Sequence, residues 1–273
     1  MIVLSFRNEI ITLWKTRGME RVRGLIRSLK AVADLLLPRT CIACERALLL
    51  EEEHLCSDCL SDLPLTRFHM LRHNPMADRF NAIIQEHLET IWTAGSTAHE
   101  RYAYATALFF YDGESSYSHI THRLKYDGQL SVGRYFGRML GEEIRRTPWL
   151  QDIDAIIPIP LHWRRRWKRG YNQAEIIAEA ISSVTGVPLC RNILERRKYT
   201  KTQTLLDVSS KADNVRGAFS ARPVNKCNIR HILLVDDVFT TGSTAGECFR
   251  ALRTVFPPDV RISVATLGFV GRA

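Results

Sequence analysis

Long apolar runs are missing from this chain of 273 residues, and no stretch approaches the roughly 20 residues that a membrane-spanning helix needs. An export signal is missing too. Ile10 to Trp14 is too short for the apolar core of a signal peptide, and the charge of Glu9 precedes it. No internal repeat or low-complexity tract interrupts the sequence, which argues against solenoids and against a disordered chain. Negative charge is also in short supply. Lys and Arg number 38 against 29 for Asp and Glu, a formal charge of +9. A polyanionic partner suits that balance, and so does a basic surface that only keeps the protein soluble. Without an export signal, the seven cysteines point to reduced thiols and metal rather than disulfides.

What is present is globular, 45% hydrophobic and 25% charged, with room for one large domain and a small module. The strongest stretch is ILLVDDVFTTGST, Ile232 to Thr244. Ile232 to Val235 read as a strand buried on both faces, with Asp236 and Asp237 where that strand ends. Thr240, Thr241, Gly242, Ser243 and Thr244 follow, then a helix with apolar Ala245, Cys248, Phe249 and Leu252. Ligands of open parallel sheets sit beyond the carboxyl ends of the strands. A turn entering a helix gathers unpaired N–H groups, and the helix dipole adds positive potential. Hydroxyls and a close-approaching glycine complete a phosphate cradle. Carboxylates repel phosphate but accept hydrogen bonds from sugar hydroxyls. Phosphate on one side and a diol on the other describe a ribose 5-phosphate. A capped helix behind two solvated acids is the plain structural alternative.

The cysteines give a second signal. Cys41-x2-Cys44 and Cys56-x2-Cys59 are separated by eleven residues. Two such turns make a tetrahedral S4 set for a closed, structural Zn2+ site. His54 lies close by and reads as surface, whereas two of Cys190, Cys227 and Cys248 are expected to line the core.

Between and around these lie the remaining pieces. Residues 1–18 read as weakly structured. From Glu20 a helix is expected with Val22, Leu25, Ile26, Leu29, Val32 and Leu36 on one face, ended by Pro38. Residues 66–104 form a connecting segment with a helix near Phe80 to Trp92 and no functional account. Then strand and helix alternate. Ala105–Tyr111 and Asp154–Ile159 are strand candidates; Tyr117–Lys125, Ser131–Arg146 and Asn172–Val184 are helix candidates; Val260–Leu267 is the last strand. This rhythm predicts an α/β fold with a parallel sheet flanked by helices. The organisation expected is an extension and amphipathic helix over 1–34, a zinc module over 35–65, the connector over 66–104 and the sheet domain over 105–273.

Two further stretches carry chemistry. PIPLHWRRRWKRGYNQ, Pro158 to Gln173, sets Arg164, Arg165, Arg166, Lys168 and Arg169 around Trp163, Trp167 and Tyr171. Aromatic faces among guanidinium groups suit single-stranded nucleic acid. Diphosphate binding, above all at Arg169 and Gly170, is an equal alternative, and a solvated basic loop is the third. Leu194 to Phe219 is polar, basic at its start, and long enough for a flap that brings cations such as Arg197 or Lys201 to a leaving group.

Ile232 to Thr244 resembles the 5-phosphoribosyl-1-diphosphate (PRPP) motif of type I phosphoribosyltransferases. Together with the CxxC pairs, P-x-P-L-H and R-G-Y-N-Q in Pro158–Gln173, Thr200, Gln203 and N-V-R-G-A-F at Asn214–Phe219, it resembles the ComF family from about Leu36 to Leu267. Lys211 departs from the arginine often seen there, which keeps charge but loses bidentate geometry. The resemblance implies a type I phosphoribosyltransferase-like domain behind a zinc module, working in the cytoplasm, with Asp236 and Asp237 on the ribose and 240–244 on the 5-phosphate. It implies Mg2+ with PRPP, single-stranded DNA and the DNA-uptake helicase machinery as partners, and a role in DNA uptake for natural transformation. An active phosphoribosyltransferase acting on a base or amine is the alternative. No glutaminase nucleophile stands at the N-terminus.

Overall fold

The computed structural model describes residues 38–92, 100–197, 217–223 and 228–271. The expected helix from Glu20, Cys227, and the Thr200, Gln203, Lys211 and Asn214 positions lie outside them. The chain divides into two compact units, Met1–Asp62 and Leu63–Ala273.

In the first unit a turn at Cys41–Cys44 is closed by a bridge between Thr40 and Ala47. The described apolar interior is small: Ile42, Leu48 and Leu55 beside Cys41 and Cys56. A short helix, α1 (Ser57–Ser61), starts at Cys56, whose sulfur accepts from the Cys59 N–H at 3.5 Å.

The second unit opens with α2 (Pro75–Trp92), which begins five residues before the expected Phe80. Asn74 explains the early start. Its side-chain oxygen accepts from the N–H groups of Met76 (3.1 Å) and Ala77 (2.9 Å), and its amide donates to Ala105 O on the first strand at 2.9 Å. That is a helix cap tied to the sheet. Met76, Ala77, Phe80, Ile84 and Leu88 make the buried stripe of α2.

Next come β1 (Ala105–Phe110), α3 (Ser118–Tyr126), α4 (Leu130–Arg146), β2 (Ala155–Pro158), α5 (Trp163–Arg169), α6 (Gln173–Thr185), β3 (Leu194–Arg196), β4 (Phe219–Ala221), β5 (His231–Phe239), α7 (Ser243–Arg253) and β6 (Arg261–Phe269). The main sheet has the order β1-β6-β5-β2, and every pairing in it is parallel. β3 and β4 form a separate antiparallel pair. The fold is therefore α/β, as the alternation of elements predicts.

Helices cover both faces of the sheet. Ile232, Leu234, Ile262 and Val264 pack into one cluster with Phe80 and Ile84 of α2 and Phe249 and Leu252 of α7. Cys248 is fully buried in that cluster and Cys190 packs against it. On the other face α4 lies close against α6. Val132, Phe136, Leu140 and Ile144 are buried as their fourfold spacing predicts. The closeness of the two helices comes from Gly137, where a Cβ would stand 2.8 Å from the Cβ of Ala180. Among the described residues no helix is long and apolar enough to cross a membrane.

Candidate functional site

The acid pair sits inside β5, not at its end. β6 keeps pairing with β5 as far as Phe239↔Phe269, so the strand runs two residues beyond Asp237. β2 stops earlier. Its last register pair is Pro158↔Val235, and the Ile159 N–H donates to Val235 O at 2.9 Å. From Asp236 onward β5 thus has a neighbour on one side and an open edge on the other. Successive side chains of a strand point to opposite faces, yet both carboxylates line one cavity of about 240 Å3, because it opens at that edge.

The two acids differ. Burial, then the charge of Asp237, pushes the Asp236 carboxyl up to about 7. Its Oδ1 accepts from the Asp237 N–H at 2.9 Å. Asp237 faces a cation, with Lys125 Nζ 2.9 Å from its Oδ2. Burial works against the Lys125 ammonium, but Asp237 outweighs it and raises the pKa above the ordinary lysine value. Lys125 stands in the last turn of α3. The Tyr171 hydroxyl holds that turn by donating to Leu124 O.

The loop after β5 is shaped at Gly242. Its φ of +83° is left-handed, and a Cβ there would meet Phe239 and Ile83, each at 2.7 Å. Glycine is thus required for conformation and for space. Arg79 of α2 fixes the loop from outside by donating to Thr240 O at 2.6 Å and Val270 O at 3.2 Å. The hydroxyls of Thr241 and Ser243 lie 2.8 Å apart. Thr244, in the first turn of α7, lines the acid cavity, while Thr240 is exposed and Gly242 buried. The first N–H groups of α7 have no intrahelical partner by geometry.

The basic stretch is a helix rather than a loop, and it distributes its side chains. The His162 side chain caps α5 by accepting from the Arg164 N–H, and Gly170 ends it at φ +82°. Arg165 and Arg169 line the acid cavity. With Lys125 and Lys168 they also line an adjoining cavity of about 520 Å3, in which Asp127 is the one lining carboxylate. Arg169 lies over the Tyr126 ring at 5.1 Å. Trp163 and Trp167 face out, 63% and 86% exposed, with the Arg164 guanidinium 5.2 Å from the Trp163 ring centroid.

Of the residues singled out by sequence pattern, Asp236, Asp237, Thr244 and Arg169 all stand on one cavity. Lys125, Arg79 and Ile83 join the site without any such pattern. Lys125 has no motif signal of its own, and the other two lie in a helix whose only sequence signal is its apolar stripe.

In the first unit the sulfurs of Cys41, Cys44, Cys56 and Cys59 lie within 4.8 Å of one another. Cys44 and Cys56 are 3.7 Å apart. A tetrahedron with Zn–S of about 2.3 Å separates its sulfurs by about 3.8 Å, so the thiols fit a zinc ion. Burial raises the Cys41 thiol, but backbone hydrogen bonds at Cys44, Cys56 and Ala43 pull it down to about 6, whereas burial and the neighbouring sulfurs push the Cys59 thiol well up, since crowded thiolates repel one another. The Cys56 N–H donates to Cys41 Sγ at 3.4 Å. Four sulfurs leave no open position, so the site is structural.

No family model matches the chain. Curated relatives do. Competence protein F of Haemophilus influenzae is 37% identical over 147 residues, 52% of this chain and 64% of that protein. DNA utilization protein YhgH of Escherichia coli (strain K12) is 34% identical over 139 residues, 50% of this chain and 60% of that protein. Competence protein ComFC of Bacillus subtilis is 33% identical over 102 residues, 36% of this chain and 38% of that protein. The chain thus spans less than two thirds of each relative's length. Over about half of its length the chain is thus similar to proteins named for competence and for DNA utilization.

Proposed function

We propose that this protein binds a phosphoribosyl ligand of the PRPP type together with single-stranded DNA, and acts in the cytoplasm in the uptake or use of incoming DNA, beside the DNA-uptake helicase machinery. One observation carries the first half: a carboxylate pair and a cluster of cations meet at the open edge of β5, with a helix N-terminus beside them. Asp236 and Asp237 accept hydrogen bonds from the ribose 2- and 3-hydroxyls. The N–H groups opening α7 and the hydroxyls of Thr241, Ser243 and Thr244 donate to the 5-phosphate. Arg165, Lys168 and Arg169 take the diphosphate, for which guanidinium forks suit paired oxygens.

Mg2+ bound with PRPP would neutralise diphosphate charge, and Asp127 is the carboxylate at hand to help hold it. If the bond at the anomeric carbon breaks, the electron pair leaves with the diphosphate. The same three cations hold that charge, while the acids face the positive character that develops on the sugar.

The DNA half rests on α5, where exposed indoles stand among arginines, and on the relatives' names, which speak of competence and of DNA utilization. Calorimetric titration of the zinc-loaded chain with PRPP and Mg2+, against Asp236→Asn/Asp237→Asn, tests the first half. Binding by the wild type and silence from the folded variant is expected; equal affinity would remove the ribose assignment.

A further inference from the structure

The acid cavity has two neighbours, and their charge differs. One is the cavity of Lys125, Arg165, Lys168 and Arg169, four cations with Asp127 as the single carboxylate. The other, of about 310 Å3, lies between α5, the start of α6 and the β3–β4 pair. It abuts the acid cavity and shares Pro160, Leu161, Asn172 and Arg196 with it. Its size is at the small end for ligand sites, roughly 300–1,000 Å3.

Of the four arginines on this second neighbour three are engaged with acids, and the fourth, Arg196, lies over the Phe219 ring at 5.1 Å. Arg191 Nε lies 2.6 Å from Glu175 and its Nη2 2.6 Å from Glu179. Arg222 lies 3.3 Å from Glu195, and Arg166 lies 3.6 Å from Glu175. Glu175 and Glu195 stand on the wall among these arginines, so a phosphate would meet carboxylates here as well as guanidinium groups. Trp163 stands on the wall with its indole 63% exposed, and Asn192 adds an amide. Donors and acceptors side by side, under an aromatic face, complement the edge and face of a flat uncharged heterocycle.

We infer that this cavity is a nucleobase subsite that takes one base of a single-stranded DNA, with Trp163 as the stacking surface. The inference rests on the phosphoribosyl and DNA reading above and gives it a direction. The cationic cavity on one side of the sugar site takes phosphate, and the cavity of mixed charge on the other side takes a base. Trp167, one helical turn further along α5 and 86% exposed, borders none of these cavities.

The test is fluorescence anisotropy on the full zinc-loaded chain, with a short oligodeoxynucleotide and an abasic strand of the same length. Stacking of one base is worth roughly fivefold to hundredfold in affinity. Trp163→Ala is expected to lose roughly tenfold on the base-bearing strand and nothing on the abasic one, with Trp163→Phe restoring most of the loss. Trp167→Ala is expected to cost less. A Trp163→Ala protein as tight as the wild type, or one weakened equally on both strands, overturns the subsite. A free nucleoside that displaces the strand at matched base concentration overturns the strand as occupant. A wild type that ignores PRPP but keeps the Trp163-dependent base preference overturns the phosphoribosyl reading and supports this one.

Discussion

The Lys125 ammonium lies 2.9 Å from Asp237 Oδ2, at the place where a ribose diol would have to donate. The ion pair and the sugar compete for one carboxylate. Lys125 also lines the cationic cavity, so once released from Asp237 it adds charge on the diphosphate side. Lys125→Met should therefore split two affinities. Ribose 5-phosphate should bind more tightly and inorganic diphosphate more weakly, each by roughly tenfold, since a hydrogen bond to a charged group is worth about 1.5–3 kcal/mol and about 1.4 kcal/mol is tenfold. Calorimetry with each compound alone checks the split, and parallel changes in both would count against the competition.

Asp236 sets a pH dependence. Its folded carboxyl titrates at about 7, well above the aspartate of an unfolded chain. Between about pH 4 and pH 7 the folded state holds a proton that the unfolded state has released, so this group's contribution to stability falls as pH rises through that window. Asp236→Asn should match wild-type stability near pH 4 and exceed it at pH 8 in urea titrations. Ligand binding runs the other way. A diol donor needs the ionised acid, so PRPP affinity should rise in the wild type from pH 6 to pH 8. The variant's stability gain and its loss of this rise should appear together.

Gly242 tests the phosphate cradle. An alanine there must adopt φ near +83° and would overlap Phe239 and Ile83. The conformational strain alone costs about 1 kcal/mol, and the overlap adds to it. Gly242→Ala should lower stability by about 2 kcal/mol and weaken ribose 5-phosphate more than it weakens inorganic diphosphate. An equal loss for both would take the loop out of 5-phosphate binding.

The zinc set should be removable without melting the sheet. The first unit has a five-residue helix and few described apolar side chains to replace a metal. Chelation, or Cys44→Ser, should release one zinc per chain by colorimetric titration and expose the 38–62 segment to protease. The cooperative transition of the sheet should persist.

How far the chain can be read from sequence depends on what each residue depends on. Asp236 and Asp237 are legible because strand, acids, hydroxyls and helix stand in one continuous run. The cysteine set is legible because ligand spacing is local. The extent of β5 is not, since it is decided by where β2 stops pairing and β6 continues, two partners far away in sequence. Lys125 is not legible for the same reason: its partner is 112 residues later, and the residue sits in an ordinary amphipathic helix. The basic stretch is legible in composition but not in direction. Only the helical turn of α5 separates Arg165 and Arg169, on the acid cavity, from Trp163 and Trp167 outside it.

That division of α5 allows the last prediction. Arg165 and Arg169 line the acid and cationic cavities, whereas Arg164 and Trp167 border none of the three cavities around the acids. Substituting Arg165 and Arg169 by alanine should weaken inorganic diphosphate by roughly a hundredfold, two charge-assisted hydrogen bonds at about 1.5 kcal/mol each. Substituting Arg164 and Arg166 by alanine should act on single-stranded DNA. Each phosphate that goes without its cation lowers the slope of log affinity against log salt by about 0.7 for single strands. A double variant that leaves two phosphates unpaired should flatten the slope by about 1.4. Binding measured from low to moderate salt separates the two sets, because a loss of fold would lower affinity without flattening the slope. If the two sets prove interchangeable, α5 carries a general positive charge and not two faces with two ligands.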